Sequence, residues 1–184
     1  MDLELPEDDG GGEEDGEEGS IWRILAPAYD LENPGELRQS QSELGDICVG
    51  FSYSPPHKKL TVYVIECKNL KSVDEGGLSD PFVKVSLVIP GKRDKSFKTR
   101  YIEQTLDPYY NEDFVFKLDP EFIPIADIRF VVADFDTFGG ADTIGEVSVG
   151  SQSYGPQQRH WRDVMLAPGK PIVCWHMLCP AMKT

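Results

Sequence analysis

Short runs of β-branched, aromatic and aliphatic residues, repeatedly cut by Gly, Pro, Asn and Asp, restrict this chain most narrowly. Ile47, Val49, Phe51 and Tyr53 alternate with Cys48, Gly50 and Ser52, the period-two pattern of a strand with one face buried. After the Pro55-Pro56 break, Leu60 to Cys67 is apolar on both faces and reads as a central strand. Val83, Val85, Leu87 and Ile89 share one face, and Pro90-Gly91 then turns the chain. Further runs cover Phe114 to Leu118, Ile128 to Ala133, Ile144 to Val149 and Pro171 to Leu178. The spacing predicts a single helix over Gly155 to Met165, with Pro156 in its first turn and Trp161, Val164 and Met165 on one stripe. Around eight strands and one short helix before the last strand predict an all-β fold, an eight-stranded antiparallel β-sandwich.

The net charge of −14 is concentrated at one end. Residues 1–20 hold ten acids and no Lys or Arg, leaving 22 acids against 18 bases, or −4, elsewhere. This segment reads as an acidic, low-complexity, disordered leader, since it buries too little apolar surface to offset chain entropy. Residues 21–44 read as a linker with an apolar knot at Ile21, Trp22, Ile24 and Leu25, and residues 45–180 as the folded domain. Cys48, Cys67, Cys174 and Cys179 show neither metal-binding nor disulfide spacing and are expected to be buried thiols. Neither a signal peptide nor an apolar run of roughly 20 residues is present, so membrane contact is expected to be peripheral. A nearly balanced body gives no reason to expect a nucleic-acid partner.

Five aspartates stand where β runs give way to glycine: Asp74 and Asp80 around Gly76-Gly77, and Asp134, Asp136 and Asp142 around Gly139-Gly140. Any one of them suits ordinary turn chemistry. Together they form two carboxylate-rich loops whose repulsion a cation would relieve. Oxygen ligands without His or Cys favour calcium over zinc, and six to eight flexible ligands suit calcium better than magnesium. An Asp-x-Asp after an apolar strand also occurs in magnesium-dependent phosphatases. That class wants Thr or Val where Phe138 stands, and alternating β/α units. A calcium-independent interaction scaffold is a third reading. His57, His160 and His176 form no legible Ser-His-Asp or Cys-His arrangement, so an enzyme is not expected.

Several segments carry a family resemblance: Leu78-Ser-Asp-Pro-Phe-Val-Lys-Val85, Thr105-Leu-Asp-Pro-Tyr-Tyr-Asn-Glu-Asp-Phe114, Asp134-Phe-Asp136 through Asp142 with Ile144-Gly-Glu146, Arg159-His-Trp-Arg-Asp163, and Pro171-Ile-Val-Cys-Trp-His-Met-Leu178. The chain from about Gly45 to Leu178 resembles a C2 domain, the calcium-dependent phospholipid-binding sandwich of protein kinase C and the synaptotagmins. The last two segments are similar to the second, more C-terminal C2 domain of synaptotagmins.

The resemblance implies that Asp74, Asp80, Asp134, Asp136 and Asp142 hold two or three calcium ions, helped by backbone carbonyls in the register of Val73, Ser79 or Phe135. It implies a calcium-switched module docking on anionic phospholipids in membrane trafficking or regulated exocytosis, cytoplasmic and peripheral to plasma or vesicle membranes. Phe138 occupies the place of a lipid-entering residue, whereas Glu75 stands where Met or Val is usual and opposes insertion. Lys92, Arg93, Lys95, Lys98 and Arg100 correspond to a basic strand that in relatives binds phosphoinositides or SNARE complexes, interrupted here by Asp94.

Overall fold

Alternation of core-facing and outward side chains builds eight strands that pair antiparallel throughout. The computed structural model describes residues 42–73, 77–135 and 140–181. The strands are β1 (Asp46–Ser54), β2 (Lys59–Lys68), β3 (Pro81–Val88), β4 (Lys95–Lys98), β5 (Tyr109–Lys117), β6 (Asp127–Phe135), β7 (Ala141–Gly150) and β8 (Ile172–Met177). One sheet runs in the order β5-β2-β1-β8 and the other β4-β3-β6-β7. Ile47, Val49, Phe51 and Tyr53 of β1 face the second sheet, and Val83, Val85, Leu87, Ile128, Phe130 and Val132 meet them from the other side. That interior supplies most of the hydrophobic stabilisation.

β2 lies between β1 and β5, the central place its two apolar faces require. Helix α1 (Gly155–Leu166) precedes β8 and buries His160, Trp161 and Val164. Its ring contacts run to Phe51, whose centroid lies 4.9 Å from that of His160 and 6.2 Å from that of Trp161.

The structure adds three things to the sequence expectation. β4 is a separate strand whose four side chains are all largely exposed, so it lacks a hydrophobic signature. A 3-10 helix, Pro120–Ile125, joins β5 to β6, so α1 is not the sole helical element. The thiols are not uniformly buried: Cys48 and Cys67 are, Cys174 is half-buried, and Cys179 is exposed just beyond β8. Asp80, Asp134 and Asp142 fall at one pole because β6 pairs antiparallel with both β3 and β7 from it. Pro81 pairs with Asp134 there, and Val88 with Asp127 at the far end.

Candidate functional site at the aspartate pole

Asp80 holds the β2–β3 connection against β6. Its N–H donates to Asp134 Oδ1 at 2.7 Å, and its carbonyl accepts the Phe135 N–H at 3.1 Å. Its own Oδ1 accepts the Gln104 N–H at 2.7 Å. Gln104 adopts a left-handed backbone (φ 52°) in that position, a conformation a long side chain takes only under constraint. Asp142 faces Asp134 across the β6–β7 ladder. Three of the five sequence-selected carboxylates are thus drawn to one pole by main-chain pairing. Asp74, Asp136, Glu75 and Phe138 lie outside the described residues.

Among the described residues no three His, Cys, Asp or Glu side chains stand close enough to hold an ion. The donor set nevertheless fits a hard cation. Asp80 and Asp134 each use one described carboxylate oxygen for a main-chain N–H, which leaves the second oxygen to a ligand. Ser79 beside them is buried, with an Oγ that lacks a partner among the described residues. Its carbonyl already accepts the Thr105 N–H at 2.9 Å.

Exposed apolar side chains rim this pole. Val73 and Leu78 flank the first loop, and Tyr101 stacks on Phe135 in the open.

The basic strand divides into two parts. Lys92, Arg93 and Lys95 line a cleft of about 180 Å³ at the far pole, joined by Lys117 from the end of β5. Lys92 Nζ lies 3.5 Å from the Phe122 ring centroid, a cation–π contact. The cleft's acid, Asp119, is bound to Lys58 at 2.7 Å, and that hydrogen bond lowers its pKa. Lys98 instead sits over Phe82, 5.3 Å from its centroid. Arg100 pairs with Glu112 at 3.0 Å. Lys117 was invisible in the sequence because strand pairing, not chain proximity, carries it to the cleft.

His160 and His176 share a buried hydrogen bond, Nδ1 to Nε2 at 2.9 Å, and His160 Nε2 meets the Ile172 carbonyl at 2.9 Å. A carbonyl only accepts, so Nε2 of His160 carries its hydrogen and Nδ1 accepts the Nε2–H of His176. His176 Nδ1 then keeps a buried lone pair that lacks a partner among the described residues. The pair is built to stay neutral, as a structural element.

An antiparallel sandwich that brings Asp80, Asp134 and Asp142 to one pole defines a class of loop-presenting β modules, and comparison with known families narrows it. The family described as C2 domain matches residues 58–164. The chain belongs to the C2 domain family. Synaptotagmin-1 of Homo sapiens is 47% identical over 157 residues, covering 85% of this chain and 35% of the relative. Synaptotagmin-1 of Caenorhabditis elegans is 42% identical over 159 residues, covering 86% and 35%. The chain thus spans about a third of the length of these curated relatives. Among solved structures, a C2 domain of RIM from Drosophila superposes with a TM-score of 0.60 at 18% identity, covering 76% of this chain and all of that one, a likeness of fold.

Proposed function

We propose that this chain is a calcium-regulated membrane-binding module of synaptotagmin type, acting in membrane trafficking or regulated exocytosis. The observation that carries the reading is the convergence of Asp80, Asp134 and Asp142 on one pole, by main-chain pairing, in a chain of the C2 family. Asp74 and Asp136 complete the set, and the five carboxylates hold two or three calcium ions. When bound, calcium supplies positive charge at the tip. The residues themselves supply oxygens, a rigid seat and an initial charge of about −5 that repels anionic lipid. Docking targets phosphatidylserine or phosphoinositides. Phe138 enters the lipid, and Glu75 weakens that entry. Lys92, Arg93 and Lys95 hold phosphoinositide headgroups or acidic partners such as SNARE proteins, with Lys98 and Arg100 contributing less. The contact we propose is peripheral, to plasma or vesicle membranes. No helix among the described residues is long and apolar enough to cross a membrane.

The antiparallel sheets lack the alternating β/α frame of an Asp-x-Asp phosphatase, which supports a binding module over an enzyme. Calcium should raise the melting temperature, since a ligand bound only by the native state adds about 2.7 kcal/mol at a hundredfold excess over Kd. A melt unmoved by millimolar calcium would count against the reading.

A further inference from the structure

At the aspartate pole, two aromatic rings are stacked on one another with no core to cover them. Tyr101, in the β4–β5 connection, and Phe135, the last residue of β6, have centroids 4.6 Å apart and planes 4° apart. Tyr101 stays 44% exposed and Phe135 41%. Aromatic surface left in water forgoes the gain that burial brings, so such a pair marks a surface kept for something else.

The main chain beneath both rings is anchored. The Phe135 N–H donates to the Asp80 carbonyl at 3.1 Å, and the N–H of Ile102, next to Tyr101, donates to the Pro81 carbonyl at 3.1 Å. A partner would therefore meet a preformed face with little conformational entropy left to lose.

The surroundings narrow the partner. Phe135 directly follows Asp134, so the platform is continuous with the carboxylate loops. Leu78, 59% exposed, rims the same pole. Lys98, three residues before Tyr101, lies over the Phe82 ring, whereas Arg100 is held by Glu112. Flat rings, a phenol hydroxyl and a nearby ammonium match the headgroup zone of an anionic bilayer, where Tyr places its ring in the apolar layer and its hydroxyl in water.

We infer that Tyr101 and Phe135 form a rigid aromatic contact that seats in the interfacial zone of an anionic phospholipid bilayer when the aspartate loops dock. This rests on the calcium-dependent docking proposed above and adds to it Tyr101, a contact from outside the two aspartate loops.

Tyr101 is the residue to test, because Phe135 adjoins two of the proposed ligands. The full chain, Tyr101→Ala and Tyr101→Trp are titrated with vesicles of about three parts phosphatidylcholine to one part phosphatidylserine, with calcium and with chelator. Tyr101→Ala should weaken calcium-dependent binding about five- to tenfold, the loss expected from two-fifths of an aromatic side chain. The calcium-induced rise in melting temperature should be unchanged. Tyr101→Trp should bind at least as tightly as the parent, and its fluorescence should shift to the blue on calcium-dependent docking, beyond any change from Trp22, Trp161 and Trp175. Unchanged affinity for Tyr101→Ala, or no added shift for Tyr101→Trp, overturns the inference while docking of the parent stands. A parent chain that fails to bind with calcium overturns the docking reading itself, and this inference with it.

Discussion

Acidification should unfold this domain through one buried pair. Burial pushes the His160 pKa down to about 4, only partly offset by its hydrogen bond to Ile172 and by Asp163. Burial, and then the adjoining His160, push His176 down to about 3. Protonating His160 would set two N–H groups against each other, and protonating His176 would bury a donor without an acceptor. In the unfolded chain both rings take up protons near pH 6.5. Between about pH 6.5 and pH 4 the unfolded state therefore binds more protons, and stability must fall as pH falls. The contribution is fully present above about pH 6.5. Below it, each ring costs about 1.4 kcal/mol per pH unit, or about 4 kcal/mol for the pair at pH 5. That is a large part of a typical total of roughly 5–15 kcal/mol. Urea unfolding of the full chain in chelator, followed by Trp fluorescence across this range, reads the slope directly. His176→Gln keeps an N–H donor toward His160 but no longer titrates. It should halve the slope, from about 2.7 to about 1.4 kcal/mol per pH unit, whatever its effect at neutral pH. Equal slopes in parent and variant would refute the reasoning, as would two buried imidazoles titrating near pH 6.5 by NMR.

Gly45→Ala should lower the unfolding free energy by about 2 kcal/mol or more, read as a lower urea midpoint at unchanged m-value, because a Cβ would lie 2.7 Å from the Asn69 carbonyl oxygen at a φ of +102°. A loss under about 0.5 kcal/mol would mean that the β1 entrance yields. Reversing Lys92 and Lys117 together to Glu should cut calcium-independent binding to phosphoinositide vesicles by about tenfold or more. Arg100→Glu should do less, since Glu112 already neutralises that cation; equal losses would show the strand acting as one uniform face. Glu75→Met should tighten calcium-dependent vesicle binding severalfold, and an unchanged affinity would remove Glu75 from the contact.

The strands that build the core were legible because every second residue facing the other sheet is apolar, Ile47, Val49, Phe51 and Tyr53 in β1 and Val83, Val85 and Leu87 in β3, although β1 is buried on its outer face as well from Ile47 to Phe51. β4 was not, because a four-residue edge strand with every side chain exposed carries no such pattern. The 3-10 helix at Pro120–Ile125 has no buried residue and left no periodicity either. The meeting of Asp80, Asp134 and Asp142 follows from strand order, which the loop positions hinted at and the ladders between β3, β6 and β7 explain. Lys117 in the basic cleft, Tyr101 beside Phe135 and the His160–His176 pair each join residues from different elements. Such contacts exist only after folding.

The central claim is that the aspartate pole binds calcium and thereby turns a lipid-repelling tip into a lipid-binding one. Co-sedimentation with phosphatidylserine-containing vesicles tests it most directly, comparing the parent chain with the double variant Asp134→Asn, Asp136→Asn in calcium and in chelator. The account predicts that the parent pellets only with calcium and that the folded double variant stays in solution under both conditions. A parent that pellets equally in chelator, or a double variant that still pellets when calcium is added, would contradict it.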